Sequence, residues 1–452
     1  MTYVGRWSVR TVAVLGLAAG TAVAARAQES GYRLTLGDAA RLGAERSATV
    51  QQARSRVEAA EARIRERTGD LLPTLDADVL RGARTFNTAS FGLDFPTAPG
   101  QEPFFDPAGE VVGPVRSADV RARVEMPLLD LAALGRRKGA QAGAVAAEEE
   151  MAALKEVAGA AAARAYVGVL RGRAEVDARE QDLALGNELL GVARDQLEAG
   201  VAVALDVTRA EAQVATVRAQ LLAARHRAQV AELALRRTLR LGDDVPLELA
   251  DDLGETTVGD VPDEGVAVSA AMGQRGDLRT AEAYRSVAEE SLATVKAGRL
   301  PKLTVGLDDG YYGKGFGGML NTYSWTFRLS LPVFDGFQRS AQIQEEQARA
   351  RELDYRIEDL QADVEFQVRQ AILNLNSAQE QVSAADERLR LAELEVAQEE
   401  DRLRAGVAGT ADLVRAALRL NEARTAHLDT RAAVLSARVA LSAATGTVTE
   451  LR

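Results

Sequence analysis

The chain repeats itself once. Leu72-Pro73-Thr74-Leu75 returns as Leu300-Pro301-Lys302-Leu303, and Met126–Asp130 returns as Leu331–Asp335. Leu197-Glu198-Ala199-Gly200-Val201 returns as Leu403-Arg404-Ala405-Gly406-Val407, each followed at the same offsets by an aspartate (Asp206, Asp412) and an arginine (Arg209, Arg415). A spacing of roughly two hundred residues is far above the twenty to fifty of solenoid repeats, so it marks duplication of a whole structural module. Each copy reads helix, strand, strand, long helix, glycine turn, long helix. The expected organisation is an export signal at 1–27, a first repeat at 28–241, a linker at 242–265 and a second repeat at 266–452.

Arg6 and Arg10 precede an apolar run, Val12–Ala25, and Ala25-Arg26-Ala27 has the small-x-small form of a signal-peptide cleavage site. The run is short for a membrane anchor, so export with Gln28 as the mature start is expected. No later stretch has the length of apolar sequence that a membrane helix needs, which leaves strands as the means of any insertion. The chain has no cysteine, excluding disulfides, thiolate metal sites and a lipid on an N-terminal cysteine. Its formal charge is −11, and the signal carries Arg6, Arg10 and Arg26 but no acid, so the remainder is more negative still. That argues against nucleic acid as a partner, because phosphates demand a basic face. Aromatics make up only 4%, which disfavours one large globular core and suits long packed helices.

The clearest helix runs from about Gly336 to Ala405. Leu353, Ile357, Leu360, Val364, Val368 and Ala371 open a seam of three- and four-residue steps that continues to Val396. Roughly seventy residues make a rod of about 100 Å. The first copy has its counterpart between about Ala132 and Ala199. Each rod turns at a glycine, Gly200 or Gly406, able to take the positive φ that ends a helix, and a second helix returns. Strands are expected at about 74–85 and 117–126 in the first copy, and at about 302–310 and 322–331 in the second. In the last of these, Tyr323, Trp325, Phe327 and Leu329 alternate with Ser324, Thr326 and Arg328, the period-two dyad of a membrane-barrel strand. Phe86–Arg116 and Gly310–Asn321 read as loops, and Tyr311, Tyr312, Tyr323 and Trp325 as an interfacial aromatic belt. Two strand pairs are marginal alone and need partners, which copies of the same chain supply.

These features together resemble the TolC-like outer-membrane factor family of tripartite efflux and type I secretion systems, over nearly all of the chain after the signal. The resemblance rests on the duplicated order, the Leu-Pro-x-Leu strand starts, the Pro-x-x-Asp strand ends and the two Ala-Gly-Val turns. It implies a mainly α fold with a small β part: a homotrimer whose protomers each give four strands to a twelve-stranded barrel in outer-membrane lipid. The helices then form a hollow α-helical barrel across the periplasm. It further implies a passive exit duct, gated at its periplasmic end, where a periplasmic adaptor and an inner-membrane transporter dock. Gly200, Val201, Gly406 and Val407 match the adaptor-docking tips. Asp412 matches the first of two acidic residues at the periplasmic constriction, but the second position is Arg415 here, so the ring has the means to form salt bridges between protomers.

Competing patterns are weak. Gly313–Gly318 spells a G-x-G-x-x-G, but strands flank it on both sides, whereas a nucleotide loop needs a following helix. His226 and His427 stand alone on polar helical stretches without metal-ligand spacing, and read as solvated. No nucleophile elbow or other catalytic pattern is present, and no cofactor is called for. Asp412 and Arg415 also have a structural reading, an acid complementing the helix dipole with a partner one turn on. A periplasmic coiled-coil adaptor or scaffold of an export complex is the alternative function, though adaptors lack amphipathic strands with aromatic faces.

Overall fold

A computed structural model describes residues 32–91, 108–242, 244–253, 261–405, 407 and 409–451. The expected signal at 1–27 and Gly406 lie outside the described residues. In the first copy, β1 (Tyr32–Leu34), α1 (Leu36–Arg46) and α2 (Ala48–Gly69) lead to a hairpin of β2 (Thr74–Asn87) and β3 (Val111–Leu129). The long helix α3 (Leu131–Glu198) and the returning α4 (Ala204–Leu239) follow, and β4 (Leu247–Leu249) lies in the linker. The second copy runs α5 (Glu264–Gln274), α6 (Gly276–Ala297), β5 (Lys302–Gly313), β6 (Leu320–Ser330), α7 (Gln338–Arg404) and α8 (Thr410–Thr445).

α3 has 68 residues and α7 has 67, so each is a rod of about 100 Å. Shorter helices line both: α2 and α4 lie against α3, α6 and α8 against α7, and α6 and α8 also bridge to α3. The seam of α7 is buried from Val364 and Val368 onward, where α5 and α8 cover it. Leu353 and Leu360 are only half-buried, because α6 is the main neighbour there. Alanine dominates the contacts of α3, with Ala160, Ala162 and Ala163 buried. Small side chains let helix backbones approach closely, so a thin wall packs well without a thick core.

The densest packing is at the waist. β1 pairs in parallel with β4, Tyr32 opposite Leu247, over a core that includes Leu34, Tyr166, Leu235, Leu239 and Leu253. The Tyr166 hydroxyl lies 2.8 Å from the Leu34 carbonyl oxygen and 2.9 Å from Asp251 Oδ2, and the Leu36 N–H donates to the same carboxylate at 2.8 Å. Burial, reinforced by the Asp251 charge, pushes the Tyr166 hydroxyl pKa up, so it stays a donor. The linker therefore does not lie against the outside of the body as its acidic sequence suggests. Its residues 247–253 are built into the core through Leu247 and Leu253.

The remaining strands form one antiparallel sheet, β2-β3-β5-β6. β3 begins at Val111 and pairs its first residues with Phe86 and Asn87, so the strands reach further into the expected Phe86–Arg116 loop than the alternation shows. Gly113 and Pro114 hid this part of β3, since both residues are poor strand formers by propensity. Each Pro-x-x-Asp motif ends the sheet and begins a rod. Pro127 faces Thr304 just before a register shift, and Asp130 accepts the Ala133 N–H at 2.8 Å as the cap of α3. Lys302, at the start of β5, reaches Asp130 Oδ2 at 3.2 Å, so the strand-start and strand-end motifs of the two copies meet. Asp335 takes the Arg339 N–H at 3.3 Å at the head of α7.

A buried ionic cluster joins the two copies below the waist. Asp182 of α3 accepts Arg179 Nη1 at 2.9 Å, Arg424 Nη1 at 2.7 Å and Asn421 Nδ2 at 2.7 Å, the last two from α8. Arg179 and Asp182 are each only 6% exposed. A carboxylate with three donors is well satisfied, and removing it leaves a buried cation without its partner. Asp182→Ala should lower unfolding stability by about 3–5 kcal/mol, read as a lower unfolding temperature. The apolar triple change Arg179→Met/Asp182→Leu/Arg424→Met, which leaves no cation without its carboxylate, should recover most of that loss.

Candidate functional site

Directly opposed residues of an antiparallel sheet share a face, so the register sorts the side chains. Leu75, Val124, Leu307 and Trp325 form one row across all four strands. Val305 with Phe327 and Leu303 with Leu329 form the adjoining rows. Trp325 is 66% exposed and Phe327 60%, with their rings 5.8 Å apart edge to face. Among the described residues nothing covers this apolar face.

The opposite face is ionic. Asp76, Arg123, Asp308 and Ser324 make one row, Asp78, Arg121, Gly310 and Thr322 the next. Arg121 pairs with Asp308, donates to Thr322 Oγ1 at 2.9 Å and reaches Asp119 at 3.4 Å; Arg123 reaches Asp78 at 3.4 Å. Ser324 donates to Asp308. Gly310 is required here, since a Cβ would stand 2.4 Å from the Val120 carbonyl oxygen. Tyr311 shares the apolar face with Val120 and Asn321, but Tyr312 lies opposite Asp119 and Leu320 on the ionic side. The expected belt therefore keeps Tyr311, Tyr323 and Trp325 on one face and loses Tyr312. Gly313–Gly318 closes the β5–β6 hairpin as a turn with no helix after it.

At the other end of the rods, Gly200 has φ +76°. The Val201 N–H donates to the Gln196 carbonyl at 3.0 Å, and in the second copy the Val407 N–H donates to Arg402 at the same offset and distance. The turns present Val201 (77% exposed) and Val407 (68%) with Val203 and Leu205 beside the first. Thr410 Oγ1 lies 3.3 Å from Gln196 Oε1, joining one tip to the other.

Asp412 is in the first turn of α8, and Arg415 Nη2 donates to its Oδ1 within the same protomer. The first copy repeats the pair, Arg209 to Asp206 at 3.6 Å. The Arg415 hydrogen bond outweighs the small desolvation penalty and holds the Asp412 carboxyl below its ordinary value. Within the protomer the pair is thus closed one turn apart. His427 departs from the solvated position expected of it. Its Nε2 lies 3.0 Å from Asp386 across the α7–α8 hairpin, with Arg431 Nε 2.9 Å away, and burial lowers its pKa. The charged runs Glu345–Arg351 and Glu399–Arg404 do make short-range pairs along their own helices, Arg349 with Glu345 at 2.6 Å and Arg402 with Glu399 at 2.6 Å. The Asp182 cluster had no sequence signal of its own, since Arg179 and Asp182 sit in a run of charges indistinguishable from a solvated face.

The outer membrane efflux protein profile matches residues 40–239 and 267–447, both copies of the module. The chain belongs to the outer membrane efflux protein family. That membership makes it an outer-membrane efflux channel with its helical body in the periplasm, and sets aside the adaptor reading. Among solved structures, the fold is similar to that of CusC, described as undergoing conformational changes on folding and transmembrane channel formation. The two share 15% identity and a TM-score of 0.77, over 92% of this chain and 93% of that one. It is also similar to the CmeC outer membrane channel of Campylobacter jejuni, at 15% identity and TM-score 0.76 over 91% and 85%. A membrane protein from Pseudomonas aeruginosa shares 20% identity and a TM-score of 0.75 over 91% and 93%. No curated protein matches the chain significantly. No described helix is long and apolar enough to cross a membrane.

Arg415→Gln should bring the Asp412 titration up toward its ordinary value of 3.8, measurable by NMR of labelled aspartate carboxyls. Because the folded value lies below the unfolded one, the stabilisation is complete above the unfolded value and lost only as pH falls through the lowered one. The pair should therefore be intact throughout the neutral and mildly acidic range.

Proposed function

We propose that three copies close the sheet into a twelve-stranded barrel, with the Tyr323–Leu329 face in lipid and the ionic face lining the pore. In this reading the helical rods continue the duct toward a periplasmic adaptor and an inner-membrane transporter. The protein does no chemistry, and cargo passes through water. The observation that carries this is the sheet: four strands with free outer edges at β2 and β6 and an uncovered apolar face. Four strands are too few to enclose a channel, and unpaired edges demand partners. Copies joined β6 to β2 satisfy every edge at once, and lipid covers the apolar face.

Two variants on adjacent residues test the faces. Phe327→Arg should cost about 2 kcal/mol or more in assembly, because a charge on the lipid face is expensive, whereas Thr326→Arg should assemble and change ion selectivity. Since the chain has no cysteine, Thr326→Cys and Phe327→Cys can be labelled singly. The first thiol should react with an aqueous reagent, and a fluorophore on the second should be quenched by brominated lipid. Quenching at neither position would put the sheet outside the membrane.

At the periplasmic end, Gly200, Val201, Gly406 and Val407 are proposed as the surface that meets the adaptor, supported by the exposed valines at both turns. Val201→Glu with Val407→Glu should abolish adaptor pull-down and export while trimers still reach the membrane. Asp412 and Arg415 are proposed to line the constriction as three internally neutralised pairs rather than an acidic ring. Single-channel recordings should then show a shift toward cation selectivity in Arg415→Ala, a shift toward anions in Asp412→Ala, and near-native selectivity in the double variant. If reversal potentials stay put in both single variants, the two residues are first-turn helix stabilisers alone.

A further inference from the structure

The arginines of the sheet lie on both faces. On the ionic face, Arg121 and Arg123 are both paired with carboxylates. On the apolar face, Arg81 and Arg116 have no carboxylate partner among the described residues. Arg81 shares a row with Ala118 and Gly313, and Arg116 lies opposite Ala83, two residues further along the hairpin. The two guanidiniums therefore spring from diagonal positions about 7 Å apart on one face. Both side chains are exposed. Two unpaired like charges side by side are unfavourable unless an anion is shared between them.

The surroundings say where this pair sits. Ten residues of β5 separate Leu303, opposite Leu329, from Gly313 in the row of Arg81. That is about 33 Å along the strand. With a tilt of about 40° it becomes about 25 Å along the membrane normal, the full height of a barrel's apolar band. The rods leave from the Leu329 end, so Arg81 and Arg116 stand at the outer rim, at headgroup depth of the outer leaflet. Phe316 of the β5–β6 turn folds outward there, its ring 5.8 Å beneath the Arg81 guanidinium, in cation–π range. Ala118 lies between β2 and β5 on the same face and has no exposed surface, although the face around it is open. The Phe316 ring and the Arg81 stem thus make a step over β3, with Arg116 diagonal to Arg81 on the same face.

We propose that Arg81, seated on Phe316, and the neighbouring Arg116 bind the phosphate of a phosphorylated glycolipid in the outer leaflet, one site per protomer. The inference rests on the lipid-facing reading of the sheet. Paired guanidiniums suit a phosphate oxyanion because each offers two parallel N–H donors. The apolar ring below suits a headgroup tied to acyl chains, which a free phosphate is not.

The test uses the full-length protein in nanodiscs. Lipid A carrying both phosphates, lipid A stripped of them, and phosphatidylcholine are compared for co-purification with the protein by native mass spectrometry. Wild-type protein should retain phosphorylated lipid A at least roughly tenfold better than the stripped form. Arg81→Gln/Arg116→Gln should remove that preference, Arg81→Lys/Arg116→Lys should keep part of it, and Arg84→Gln, on the other face, should leave it intact. Equal retention of the two lipid A forms by wild-type protein overturns the proposal, and so does displacement of lipid A by millimolar inorganic phosphate. Should the double Gln variant fail to assemble, the wild-type comparison decides alone. Quenching at Phe327→Cys by brominated lipid reports separately whether the face meets lipid, so failure of the phosphate site is distinguishable from failure of that placement.

Discussion

An open four-stranded sheet with one greasy and one charged face cannot stand by itself, and everything else in this protein is arranged around completing it. Among the described residues the apolar row through Trp325 has no cover, and the two outer strands have free edges. In a soluble sheet a helix would pack on that face. Here the helices leave from the sheet's end instead, Asp130 capping α3 directly after β3 and Asp335 accepting a backbone N–H at the head of α7. In the proposed trimer the outer membrane completes the face, so that membership of an outer-membrane family and the bare sheet become two views of one constraint.

The helical part solves a different problem, that of a long thin wall. A rod of 67 residues cannot bury all its seam against a single neighbour. Shorter helices therefore succeed one another along it, and the seam residues become fully buried where two neighbours meet them. The tightest packing is at the waist, where Tyr166 and Asp251 tie the N-terminal strand to the linker. Beyond it, the Asp182 cluster fastens α8 to α3 with charge rather than with apolar volume. A buried carboxylate with three donors is demanding in geometry and so fixes one alignment of the two hairpins.

At the tips the duplication is nearly exact in backbone and unequal in consequence. Both turns carry the same valine N–H bond, five residues back, and both returning helices carry an acid in the first turn with an arginine three residues on. In the second pair Arg415 approaches Asp412 more closely than Arg209 approaches Asp206, and its hydrogen bond holds the Asp412 carboxyl below its ordinary value. A neutralised pair is a weaker attractor of cations than an isolated carboxylate. The constriction proposed here is accordingly different in charge from a ring of acids.

Much of this was legible in the residues. Doubling of Leu-Pro-x-Leu, Pro-x-x-Asp and Ala-Gly-Val set the order of elements, the three-four steps from Leu353 to Val396 set the long helix, and strict alternation at Tyr323–Leu329 set the strand faces. These are local periodicities, and local geometry obeys them whatever surrounds it. What only the tertiary structure decided depends on residues far apart in the chain. Val111–Arg116 became strand because Asn87 lies opposite Val111 to pair with it. The linker entered the core because β1 offered β4 an edge. Tyr312 turned inward by the parity of a register that no single strand reveals, and Asp182 ceased to be a surface acid when Arg424 came to it from 242 residues away. Sequence periodicity tells which face a residue takes; only the assembled chain tells what that face meets.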